Sequence, residues 1–81
     1  MTREEIISQV NDLLANEFEV EVSEITPEAN VKETLMLDSL SLVDMVALLQ
    51  FNYKITIPVN ELHKIQTFNN LYDYIEQHLP K

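Results

Sequence analysis

Leu35-Met36-Leu37-Asp38-Ser39-Leu40-Ser41-Leu42-Val43-Asp44-Met45-Val46 places an acid and a hydroxyl directly ahead of a long apolar run. Either Asp38 or Ser39 is able to take the capping position, where a side-chain oxygen accepts from N–H groups that a helix start leaves unpaired. From Asp38 the pattern stays helical to about Asn52. Successive residues step by about 100° around a helix, which puts Leu42, Val43, Val46, Leu49 and Tyr53 on one side, facing a core. Leu40, Asp44, Ala47 and Phe51 fall along another side, nearly opposite, as one stripe running down from the Asp-Ser pair.

Working outward, the N-terminal flank supplies another helix. Thr2 ahead of Glu4 and Glu5 is a helix start, and Ile6, Ile7, Val10, Leu13, Leu14 and Phe18 recur at three- and four-residue spacing. Glu19 to Glu24 alternates in part but has no second strand-like run to pair with, so it reads as loop. Thr26-Pro27-Glu28 is a turn. Beyond it a long connection is pinned by Val31, Leu35 and Leu37, with one helical turn at Lys32-Glu33-Thr34.

On the C-terminal flank Lys54 to Ile57 is a connection closed by Pro58. Val59 to Ile65 makes a brief helix with Asn60 as its cap. Thr67 caps a further helix that buries Phe68, Leu71, Tyr72, Ile75 and Leu79, and Pro80 stops it. The expected fold is all-α, a four-helix bundle of three major helices and one short third helix, in a single domain spanning 1–81. The chain has no glycine, so left-handed turn positions are expected to fall to Asn16, Asn30, Asn52 and Asn60.

Composition narrows the function. Fourteen acids against five bases give a net charge of −9, which excludes nucleic acid and anionic lipid as partners and favours basic protein surfaces. Residues 1–44 hold eleven acids and two bases, whereas residues 45–81 are balanced at three of each. Eighty-one residues without cysteine offer neither a disulfide framework nor a thiolate metal site, so any thiol chemistry is borrowed from a cofactor. No apolar run approaches the length of a membrane span, and Met1-Thr2-Arg3-Glu4-Glu5 lacks the order of a signal peptide, so a cytoplasmic monomer without membrane insertion is expected.

The other chemical groups assemble no competing site. His63 and His78 are far apart in sequence and fall on different helices. A triad of Ser39, His63 and an acid would have no glycine-lined oxyanion hole, and scattered carboxylates without His or Cys at ligand spacing read as a solvated face. Tyr53, Tyr72 and Tyr74 read as core or edge residues.

The Asp38-Ser39-Leu40 triplet, its flanks and its distance from each chain end resemble the acyl carrier protein family over about Glu4 to Leu79. The resemblance implies a non-catalytic carrier whose Ser39 bears a 4′-phosphopantetheine arm taken from coenzyme A. It implies that Asp38 helps the phosphopantetheinyl transferase hold its divalent metal, an oxygen-ligand role suited to a carboxylate. Without it, the same two residues are an ordinary helix cap. The family usually has glycine where Met36 stands and again around Lys54; Met36 instead sets a flexible apolar side chain beside Ser39.

The resemblance further implies that the stripe of Leu40, Asp44, Ala47 and Phe51, with Met36, meets partner enzymes: the transferase, acyl-loading enzymes, ketosynthases and others of a biosynthetic pathway. It also implies that a slot between the later helices shelters the acyl chain, with Leu42, Val46, Ile57, Leu62, Ile65, Phe68 and Tyr72 as candidate lining. General fatty-acid carriers have an acid-rich second helix, whereas this one ends Leu48-Leu49-Gln50-Phe51-Asn52, which suggests a specialised member. Fatty-acid, polyketide and related biosynthesis stay open, as do an aminoacyl or peptidyl carrier and an unmodified docking module.

Overall fold

The structure is a computed structural model and describes residues 2–79. Helix α1 spans Arg3–Phe18, α2 Val31–Leu35, α3 Ser39–Tyr53 and α4 Phe68–His78, with 3-10 turns at Val22–Glu24 and Val59–Lys64. Among the described residues there is no strand, only an isolated antiparallel bridge between Asn30 and Thr67. The architecture is an all-α bundle of three long helices. Pro80, the expected stop after α4, lies outside the described residues.

Each helix starts on a side chain suited to it. Thr2 and Glu5 form a reciprocal capping box ahead of α1, and Thr67 and Asn70 form another ahead of α4, so orphan N–H groups are satisfied at both starts. Arg3 then ties the two helices together, donating to Asp73 Oδ1 at 2.6 Å and Asn69 Oδ1 at 2.6 Å and reaching Glu76 Oε2 at 3.4 Å. Beneath these contacts Ile6, Val10 and Leu14 of α1 and Phe68, Leu71, Tyr72 and Ile75 of α4 are fully buried.

The connection from residue 19 to residue 38 is held by backbone bonds. Val31 N donates to Gln66 O at 2.9 Å, Phe68 N to Ala29 O at 3.2 Å and Asn69 N to Pro27 O at 2.9 Å. Asn30 caps α2 through Glu33 N, while Ile25, Val31 and Leu35 are buried. The stretch after α3 is also fixed: Ile55 and Ile57 point inward, and Gln50 Oε1 accepts from Ile57 N at 2.7 Å.

Four expectations change. The short third helix is present but is of the 3-10 type, because its six residues close with short-range bonds such as Glu61 N to Pro58 O, a geometry that short segments favour. Asn60 does not cap it; Pro58 holds that position. The left-handed residues are Glu19, Met36 and Lys54, at φ 56°, 53° and 54°, and not the four asparagines, because each closes the C-terminus of a helix. Asn16 and Asn52 instead lie inside helices, and Asn30 caps one. Finally, Val43 is 53% exposed while Met45 is buried: Val43 lies about 100° around α3 from Leu42, and Met45 only about 60° the other way.

No acid among residues 2–44 has an ion pair with a described residue; the pairs that form use Asp73, Glu76 and Glu61. Self-repulsion in the first half is therefore expected to limit stability. Moderate salt or millimolar magnesium is expected to raise the melting temperature by a few degrees. A thermal melt that is flat with ionic strength would mean the acids are too dispersed to matter.

Candidate functional site

Asp38 has extended backbone, φ −92° and ψ −172°, and its Oδ1 accepts from Ser41 N at 2.8 Å. That bond holds the Asp38 carboxyl below the usual carboxylate range, so it is ionised at neutral pH. Ser39 follows as the first residue of α3. It is exposed, and its hydroxyl makes no hydrogen bond to any described residue. Of the two candidate caps, Asp38 takes the role and leaves the Ser39 oxygen free.

The surroundings suit an anionic ester on that oxygen. α3 is fifteen residues long and carries no acid within its own first turn, so the positive end of its dipole is opposed only by Asp38. A phosphodiester on Ser39 Oγ would lie at these N–H groups, and nothing in the described structure covers it. The residues present therefore fit a 4′-phosphopantetheine ester.

Exposed apolar side chains lie next to the position and further along α3. Met36 is 83% exposed, Leu40 78% and Phe51 83%, and Asp44 and Ala47 are also exposed. Val43 belongs to this outer face as well and was missed from the sequence pattern, since it sits at the edge of the wheel where either assignment is possible. The result is a largely apolar surface down α3 with Asp44 as its acid.

On another side of α3 lies a half-open hollow of about 330 Å³. Leu42, Leu62 and Ile65 line it, together with Asn30, Lys32, His63 and Gln66. The remaining candidates for an acyl slot are elsewhere: Val46, Ile57, Phe68 and Tyr72 are buried core, and the Tyr72 hydroxyl is turned to Asn11 of α1. The polar part of the lining is not legible in the sequence, because Asn30 and Lys32 come from a connection that backbone bonds to residues 66–69 hold in place.

The 3-10 turn that supplies Leu62 and His63 is fastened to α4. Tyr74 donates to Glu61 Oε2 at 2.6 Å and lies 3.3 Å from Thr56 O, while its ring stacks on His78 at 4.0 Å. Desolvation, reinforced by the Glu61 carboxylate, pushes the Tyr74 phenol up to about 12. The same bond, with Lys64 at 3.5 Å, holds the Glu61 carboxyl low. His63 and His78 are not brought together with Ser39 into any hydrogen-bonded set, and among the described residues no cluster of His, Asp or Glu suits a metal ion.

Residues 8–75 match the family model described as a phosphopantetheine attachment site. The acyl carrier protein of Rubrobacter xylanophilus is 38% identical over 78 residues, covering 96% of each chain. That of Lactobacillus acidophilus is 36% identical, over 96% of this chain and 98% of the relative. The chain belongs to the acyl carrier protein family. A solved acyl carrier protein from Enterococcus faecalis superposes with a TM-score of 0.80 at 32% identity, covering 96% of this chain and 99% of that one. Acyl carrier proteins are carriers and not catalysts, and their prosthetic group is 4′-phosphopantetheine. No helix among the described residues is long and apolar enough to cross a membrane.

The Asp38 cap gives a direct test. Its lowered pKa means the folded form gains stability from the carboxylate above the ordinary carboxylate range, and loses it as pH falls through the lower folded value. Asp38→Ala is expected to lower the melting temperature by a few degrees at neutral pH. Asp38→Asn, which still accepts from Ser41 N, should keep the part due to the capping bond and lose the pH-dependent part. Equal losses in the two variants would show that charge, not capping, is what Asp38 contributes.

Proposed function

We propose that Ser39 is the attachment point of the 4′-phosphopantetheine arm and that the chain acts as one acyl carrier domain, 1–81, passing acyl intermediates between separate enzymes. The observation that carries this is the exposed Ser39 hydroxyl, without a hydrogen bond to any described residue at the first position of α3 while Asp38 does the capping. When bound, the arm supplies the thiol that a chain without cysteine lacks, and cargo is held as a thioester. Asp38, ionised and exposed, is suited to support the divalent metal of a phosphopantetheinyl transferase.

Met36, Leu40, Asp44, Ala47 and Phe51, joined by Val43, form the surface offered to that transferase and to acyl-loading, ketosynthase and related enzymes. Apolar anchors at Leu40 and Phe51 would supply most of the binding, with Asp44 setting register. Because Phe51 stands where an acid is expected of a general fatty-acid carrier, we read this chain as a specialised member in fatty-acid, polyketide or related biosynthesis. It acts as a cytoplasmic monomer. Leu42, Leu62 and Ile65 are the residues that would shelter cargo.

Intact mass checks the attachment. With coenzyme A, magnesium and a broad-specificity transferase, the wild-type chain should gain one phosphopantetheine and Ser39→Ala none. A Ser39→Ala chain that gains it equally would remove Ser39 from the role.

Phe51→Ala is expected to weaken binding to a cognate ketosynthase or loading enzyme by about 1 to 3 kcal/mol. Its helical circular dichroism should stay that of the wild type, since Phe51 is outside the core. Unchanged affinity would take Phe51 out of the interface.

A further inference from the structure

The 3-10 turn Val59–Lys64 is anchored at both ends and loose between them. Ile57 before it and Ile65 after it are buried, whereas Asn60, His63 and Lys64 of the turn are exposed and Glu61 and Leu62 half-buried. Its backbone bonds are short and local, Glu61 N to Pro58 O at 2.9 Å and Ile65 N to Leu62 O at 3.0 Å. Among the described residues no backbone hydrogen bond joins the turn to a helix, and the side-chain bond that does is Tyr74 to Glu61 Oε2 at 2.6 Å. Lys64, the other partner of Glu61, belongs to the turn and moves with it.

A phenol has one proton to donate. In Tyr74 it goes to the Glu61 carboxylate, the shorter and charge-assisted bond, while Thr56 O stands 3.3 Å from the same oxygen as a second acceptor. Thr56 lies outside the turn, between the buried Ile55 and Ile57, so it stays in place when the turn moves. The Tyr74 ring is held at its post by stacking on His78 at 4.0 Å and 9°. Without a second acceptor, lifting the turn would leave the hydroxyl unpaired against the protein. With Thr56 O in reach, the phenol exchanges a charge-assisted bond for a neutral one, which is a smaller loss.

We propose that Tyr74 is a two-position latch: donating to Glu61 it fastens the 3-10 turn to α4, and donating to Thr56 O it lets the turn lift as a flap between its anchors Ile57 and Ile65. Lifting displaces Leu62 and His63, one wall of the hollow, and leaves Leu42 of α3 in place, so the latch sets the width of that space. The device is built from side chains of the bare chain and does not rest on the carrier reading.

NMR on the full chain, with Ser39 unmodified, tests both positions. In Tyr74→Phe, which keeps the ring and its stack, amide exchange of Glu61 and Ile65 is expected to quicken about fivefold, the difference between a charge-assisted and a neutral hydrogen bond, with the amides of α1 and α4 unchanged. In the same variant the Glu61 carboxyl, held low chiefly by the Tyr74 bond, should titrate at higher pH. In Glu61→Ala the freed phenol should turn to Thr56 O and move the Thr56 carbonyl carbon resonance downfield, a shift that adding Tyr74→Phe should remove. Wild-type exchange at Glu61 and Ile65 in Tyr74→Phe, or a Glu61 carboxyl that titrates as before, would overturn the latch. So would exchange that quickens equally throughout α4, since Tyr74 would then support the bundle as a whole. A Thr56 carbonyl resonance unmoved in Glu61→Ala would remove the second position and the proposal with it.

Discussion

The backbone bridge between Asn30 and Thr67 is the constraint on which the arrangement of both faces of α3 depends. Each bridged residue is also a helix cap, Asn30 for α2 and Thr67 for α4. One short pairing therefore fixes where two helices begin. It also holds the long connection against the start of α4, so that Val31 and Leu35 enter the core and Met36 to Asp38 arrive at a defined place. The entry of α3, and with it the orientation of Ser39, follows from a contact made by residues well separated from it in sequence. The same bridge carries Asn30 and Lys32 to the border of the hollow.

α3 is apolar over more of its circumference than a helix packed on one side requires. Met45, Val46, Leu49 and Tyr53 satisfy the core, and Leu40, Val43 and Phe51 are left in water. In a small bundle such exposure disfavours solubility, and the acids concentrated in the first half of the chain offset it by keeping molecules apart. Charge and exposed apolar surface are in this sense complementary: one prevents indiscriminate association, and the other leaves a surface for selective association.

The helices were legible because their evidence is local. Spacing of Ile6, Val10 and Leu14, and of Phe68, Leu71, Tyr72 and Ile75, identifies faces that are in fact buried, and Thr2 and Thr67 cap where a hydroxyl ahead of a periodic run should. What escaped the pattern depends on partners distant in sequence or on backbone geometry. Val43 and Met45 exchange roles because both lie near the edge of the buried arc, and only the packing of neighbours decides between them. Left-handed turns fall on Glu19, Met36 and Lys54 because position after a helix outweighs residue preference when no glycine is available. That a helix starts at Asp38-Ser39 is readable from the motif, but that Asp38 caps and Ser39 does not is a matter of geometry.

Those left-handed residues carry a further consequence. A side chain with a Cβ costs about 1 to 2 kcal/mol in that conformation, and Met36 and Lys54 bracket α3 at its two ends. Met36 is retained in place by backbone bonds, its N–H donating to Glu33 O at 3.3 Å and that of Leu37 to Lys32 O at 2.9 Å. Holding the turn this way sets an exposed thioether close to Ser39 in sequence, where glycine would offer only backbone. Around the axis of α3, Ser39 lies about 60° from Leu42 on the hollow side and about 100° from Leu40 on the outer side. Ser39 thus stands between the hollow and the exposed apolar face of α3, on the row that separates the two.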